Sequence, residues 1–454
     1  MSDGPTTPGP GRPDPEELAE QLRRMMEQMG LPVTGDASAF MAQLSQMFQQ
    51  APTGFGVAAE GGGPVDWDRI KDLARHVAAS KGTDPTPGRA ERSAVLDASR
   101  LVENWLDQAC EFAQVATPAT CWSRAEWIEH TFGSWQKIVE PVLVSLTEAL
   151  SGLLSGPGAA DGTDPMAALA AMMGPTLQRV SGMLYGAQLA EGLADLATTT
   201  VSGTEIGLQV LGVPQVVLLP TNVSAQWGDL DLDPRDVEIY LVLREAARQR
   251  LFNAVPWLAP QLSALVEHYA REIRIDSGAI EDAFHVEDLS SMTPESIQEM
   301  SRQLQGRLFE PTRTPEQDGI LERLETLLAL IEGWVDEVTE QVAGSWLPSH
   351  AQLAEAVRRR RATSGPAEAF FSSLLGLELR QRRVRDAANL WAALRQERGP
   401  VGRDAVWHHP DLVPTAADLD DPLGYVSGDS EDSGQPGDDL DAELEELLRQ
   451  EGND

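Results

Sequence analysis

Runs of consecutive β-branched or aliphatic residues are scarce in this chain, and that scarcity constrains its fold class. The clearest is Val216-Val217-Leu218-Leu219, a buried-type strand pattern stopped by Pro220. Gln209 to Leu211 has a similar β texture. Elsewhere apolar residues recur mostly at helical spacing, through Trp67 to Ser80, Glu91 to Val115, Arg124 to Leu150, Met166 to Thr198, Pro256 to Tyr269, His350 to Arg361 and Pro366 to Arg398. These patterns predict a mainly α fold, a helical domain with one small β element.

Two further helices announce their own starts. Asp233 is an N-cap residue, Pro234 fits the first helical position, and Asp236 complements the helix dipole, so a helix is expected from there to about Phe252. Thr314-Pro315-Glu316-Gln317 is a capping box with proline at the first position. It opens an apolar stripe of Leu324, Leu327, Leu328, Ile331, Val335 and Val338. On the shoulder of that stripe stand Glu332 and Asp336, four residues apart and therefore on one face.

The ends differ from the middle. Residues 1–64 are expected to be a disordered N-terminus with short Met-rich helices and a Gly linker, 65–422 the folded domain, and 423–454 an acidic disordered tail. From Asp429 to Asp454 there are eleven acidic residues and one basic residue, with Leu440, Leu444, Leu447 and Leu448 at helical spacing. A net charge of −36 argues against nucleic acid as a partner, because phosphate contacts need a basic footprint. The arginines from Arg358 to Arg361, with Arg380, Arg382, Arg383 and Arg385, read as surface helices that offset this acidity. Only Cys110 and Cys121 occur, in no Cys-x-x-Cys pair. The first fourteen residues are polar and Pro-rich, unlike a signal peptide, and no apolar run approaches a membrane span. A cytoplasmic protein without a membrane partner is expected.

Most catalytic patterns are missing: there is no Gly-x-Ser-x-Gly elbow and no phosphate-binding or dinucleotide-binding glycine loop. What remains is an ordered constellation of the Val216 strand, then Arg244-Glu245-Ala246-Ala247-Arg248, then Glu332 and Asp336. A His-Glu-x-x-His helix grips zinc because imidazoles at i and i+4 share one face, with the glutamate as general base. Here the two outer positions are arginines.

The chain resembles an actinobacterial family of zincin-like metallopeptidases. Its members carry labels such as zinc-dependent metalloprotease, or hydrolase associated with deazaflavin-coenzyme biosynthesis. The resemblance is carried by Val216 to Pro220, Arg244 to Ala247, Leu251-Phe252, Val255 to Leu258, Glu332-Gly333-Trp334-Val335-Asp336 and Arg359 to Ala362. Further matching residues are Gly365 to Glu368, Gly376 to Arg380, His409 to Asp411 and Pro414 to Pro422. It implies the general-base position for Glu245, the third metal-ligand position for Glu332 and a second-shell orienting role for Asp336.

Arg244 and Arg248 occupy the ligand positions of that degenerate motif, and an arginine has no lone pair to offer. The expectation is therefore a family member with a vestigial Glu245, no cofactor, and a protein or peptide as its partner. The alternative is a zinc-dependent hydrolase that draws donors from elsewhere, such as His268, His285 or Glu281, and whether the chain is an enzyme stays open at this point. Charge adds a geometric expectation. Two guanidiniums restore the two positive charges of a dication, so Arg244 or Arg248 should pair with Glu332 or Asp336. Two solvent-facing arginines are the plainer alternative.

Overall fold

The computed structural model describes residues 65–155, 182, 185–272, 314–362, 370–371 and 383–428. In chain order these contain α1 (Trp67–Ser80), α2 (Arg89–Leu106), β1 (Thr117–Cys121) and α3 (Arg124–Ser155). A helix at residues 185–199 (α4) follows, then β2 (Gln215–Leu218), α5 (Pro220–Trp227), α6 (Pro234–Ala254) and α7 (Leu258–Arg271). Beyond these come α8 (Pro315–Trp346), α9 (His350–Ala362) and α10 (Val384–Ala405), which kinks at Gly399. Two single-turn 3-10 helices and the short α11 (Ala416–Asp420) and α12 (Pro422–Ser427) close the described chain. The Met-rich N-terminal stretch and its linker, most of 166–184, residues 365–368 and 376–380, and the tail from residue 429 on lie outside the described residues, while 423–427, read from the sequence as tail, belong to α12.

The fold is mainly α, with one small sheet. β2 forms where Val216 to Leu219 predicts it and pairs in parallel with β1, matching Thr117 to Gln215, Thr120 to Val217 and Cys121 to Leu218. On its other side Ser202 bridges Leu218 in antiparallel sense, and Gly203 N–H donates to the Val217 carbonyl at 3.0 Å. Gln209 to Leu211 does not form a strand. Val210 and Leu211 are nevertheless buried, so the apolar run reports burial and its backbone stays irregular. The helix expected to reach Val115 stops at Leu106. Cys110 and Cys121 are buried free thiols, each pushed up to about 11 by burial.

The core centres on α6. Its start is as predicted, with the Asp233 side chain accepting from Arg235 N–H at 2.8 Å and proline in the first turn. Every residue from Ile239 to Phe252 is buried, because α6 packs between α2, α8 and β2. Helix α8 begins at the Thr314 capping box, where Gln317 N–H donates to Thr314 Oγ1 and the Gln317 side chain accepts from Thr314 N–H. It touches α6, α7 and, most extensively, α10.

Gly333 makes that last approach feasible. A Cβ there would lie 2.6 Å from Ala387 Cβ and 2.7 Å from Ala388 N. Gly333→Ala is therefore expected to destabilise the protein by about 1–3 kcal/mol through overpacking. The urea midpoint reads this, and an unmoved midpoint would mean α10 yields freely. Among the described residues no helix is long and apolar enough to cross a membrane.

Candidate functional site

Arg244, Glu245 and Arg248 all point into the protein. Their relative exposures are 6%, 0% and 2%, so the arginines are not the solvent-facing pair that hydropathy alone allows. They meet the face of α8 that carries Glu332 and Asp336. Arg248 lays its fork on Glu332, with Nε at 2.8 Å from Oε1 and Nη2 at 3.1 Å from Oε2. Arg244 reaches Asp336 Oδ1 at 2.6 Å and Glu332 Oε2 at 3.3 Å. The pairing expected from charge is thus made by both arginines: Arg248 grips Glu332 in the planar two-point geometry that guanidinium favours, and Arg244 gives one nitrogen to Asp336 and one to Glu332.

A third guanidinium completes the cluster. Arg361, from the last turn of α9, donates to Glu332 Oε2 at 2.6 Å and to both oxygens of Asp336 at 2.7 and 3.1 Å. The run from Arg358 to Arg361 therefore divides. Arg358 and Arg359 pair on the surface with Glu355, Arg360 pairs with Glu205, and Arg361 turns inward. The surface reading holds for the first two and fails for the last. Four successive arginines give no sign of which one is buried, since that depends on how α9 docks.

Glu245 sits in a cage. Its Oε2 accepts from Ser202 Oγ at 2.7 Å and Arg248 Nη1 at 3.0 Å. Its Oε1 accepts from Thr204 N–H at 3.1 Å, Thr204 Oγ1 at 2.9 Å and Gln249 Nε2 at 3.1 Å. Ser202 and Thr204 belong to the segment beside β2, which passes over the cluster. Gly203 fits closely there: a Cβ would lie 3.0 Å from Glu245 Oε1 and 3.2 Å from Val217 Cβ, tight contacts that a side chain would have to push back. Sequence reasoning missed Ser202, Thr204, Gln249 and Arg361. Only Gln249, next to Arg248 on α6, had a local signal.

The electrostatics follow from this packing. Burial alone would raise the Glu332 carboxyl, but Arg248, Arg361 and Arg244 outweigh it and hold it below the usual carboxylate range. Asp336 is half-buried and is held well below its ordinary value by Arg361 and Arg244. Burial pushes Glu245 upward, opposed by Arg248 and by the hydrogen bonds from Ser202, Gln249 and Thr204.

A zinc ion does not fit this donor set. The two motif positions present protonated guanidiniums, and both oxygens of Glu332 are taken by guanidinium N–H groups. The proposed outside donor His268 is not at hand. Its Nε2 lies 3.4 Å from Glu316, in a group with Glu272 at the junction of α7 and α8. Glu316 and Glu332 are separated along α8 by roughly 24 Å at 1.5 Å per residue. His285 and Glu281 lie outside the described residues.

Comparison with known proteins bears on the fold and the family. A crystal structure from Chloroflexus aurantiacus, reported as a putative hydrolase with a novel fold, superposes with a TM-score of 0.56 at 18% identity. The match covers 81% of this chain and 100% of that one, and shows a shared fold. Curated proteins provide no match. The sequence model of the zincin-like metallopeptidases matches residues 65–426, which takes in α6, β2 and the acidic face of α8. The chain belongs to the zincin-like metallopeptidase family.

Proposed function

We propose that this protein has exchanged zinc-dependent hydrolysis for binding, with a protein or peptide as its ligand. One observation carries the reading: the two motif positions of α6 hold arginines that are buried and committed to Glu332 and Asp336. Glu245 has no exposed surface and all its hydrogen bonds are internal, so it is poorly placed to activate water for an outside substrate. A polypeptide ligand is the class that a metallopeptidase fold is built to receive.

A pocket along α9 supports the reading. A surface pocket of 580 Å³ is lined by Trp227, Leu230 and Leu232 on one side and by Ala356, Arg359 and Arg360 on the other. Its size is within the range of ligand sites, and its mixed lining, which also includes Asp231 and Glu355, suits a peptide that offers both apolar and charged side chains.

Metal content and peptide hydrolysis of the purified full chain test the proposal. Zinc well below one per chain, and no chelator-sensitive cleavage of a mixed peptide substrate, are expected. Stoichiometric zinc that disappears in Glu332→Ala, together with chelator-sensitive cleavage, would establish the hydrolase reading instead.

A further inference from the structure

We infer that the cluster on α6, α8 and α9 is a charge-for-charge exchange of a dication for two guanidiniums, with Arg361 as a fixed third positive charge. The inference rests on the reading that Arg244 and Arg248 stand where a zinc site has its histidines.

The accounting is simple. Glu245, Glu332 and Asp336 bring three negative charges into a volume where the first two side chains are at most 5% exposed. A dication and Arg361 would neutralise them. So do Arg244, Arg248 and Arg361, and each guanidinium bonds directly to at least one of the three carboxylates. Burying an unpaired charge is far more unfavourable than burying a matched set, so substitution at one motif position alone leaves a net buried charge. The two arginines therefore act as a unit. Arg361 is a positioning residue: its fork joins α9 to α8, and it remains the counter-charge whichever cations occupy the motif.

Two consequences follow. Arg244→His and Arg248→His singly should each lower the melting temperature and bind no metal. The double variant should be weak without metal and recover several degrees with equimolar zinc. It should also bind one cobalt(II) with the visible absorption of a four-coordinate site. Glu332→Gln in that background should abolish the spectrum.

The second consequence needs no metal and guards against a double variant that fails to fold. Asp336→Asn and Arg361→Gln each unbalance the cluster, whereas together they restore neutrality. Their combined loss in melting temperature should be clearly smaller than the sum of the single losses.

A folded double-histidine variant that takes up neither zinc nor cobalt, or strict additivity of Asp336→Asn with Arg361→Gln, would overturn the exchange. Zinc bound at Glu332 in the unaltered chain would overturn the proposed function and the exchange with it, whereas the two outcomes above overturn the exchange and leave the proposed function standing, so the failures are distinguishable.

Discussion

Glu332→Ala is expected to lower stability by about 3–5 kcal/mol, the range for removing one partner of a buried ion pair. The reason lies in what remains behind. Arg244 and Arg361 keep Asp336, which is partly exposed. Arg248, with 2% of its side chain exposed, keeps only Glu245. Its Nε and Nη2 then face a cavity with no acceptor, and the desolvation already incurred is no longer offset.

Chemical denaturation of the full chain measures this. Glu355→Ala serves as the control, since it removes an acceptor from the exposed Arg358 and Arg359 and should leave the midpoint unmoved. Equal effects from the two substitutions would mean that the buried cluster is worth no more than surface ion pairs.

Elements whose start is written in side-chain chemistry were legible in the sequence. Asp233 with Pro234 places the start of α6, and the Thr314 capping box places that of α8, because caps are local hydrogen bonds that need no tertiary partner. β2 was legible because an apolar run between turn residues has few other uses. β1 was not: Thr117-Pro118-Ala119-Thr120-Cys121 contains a proline and no apolar alternation. Its extended state is conferred by β2, and Gln215 Nε2 donates to the Pro118 carbonyl at 2.6 Å.

The candidate site divides along the same line. The shared face of Arg244, Glu245 and Arg248 follows from helical spacing, as does that of Glu332 and Asp336. Their meeting was predictable from the family resemblance, which puts Glu332 and Asp336 beside the motif, and from treating the two faces as one charge-balanced object. Arg361 and the Ser202–Thr204 segment enter through the docking of α9 and the crossover beside β2. These are long-range events, and no local pattern encodes them.

The same helix carries a third buried guanidinium, one for which no motif argument exists. Arg250, 1% exposed, donates to Glu103 Oε2 from Nε at 2.7 Å, and to the Glu103 and Phe112 carbonyls at 2.9 Å each. It also reaches Asp107 Oδ1 at 2.7 Å. It thereby ties α6 to the end of α2 and to the start of the segment leading into β1. Arg250→Ala leaves Glu103 buried without its cation and removes a donor from the Phe112 and Glu103 carbonyls, the latter keeping Asp107 N–H at 3.1 Å, and should lower stability by about 3–5 kcal/mol.

Arg250→Lys separates charge from geometry. A single ammonium cannot reproduce a fork that serves two carboxylates and two carbonyls from one plane, so lysine should recover less than half of the loss. Denaturation midpoints of the two variants check this. Full rescue by lysine would show that charge alone holds the α2 end in place. Failure of both variants would show that the fork's geometry, and not its charge alone, holds the α2 end in place.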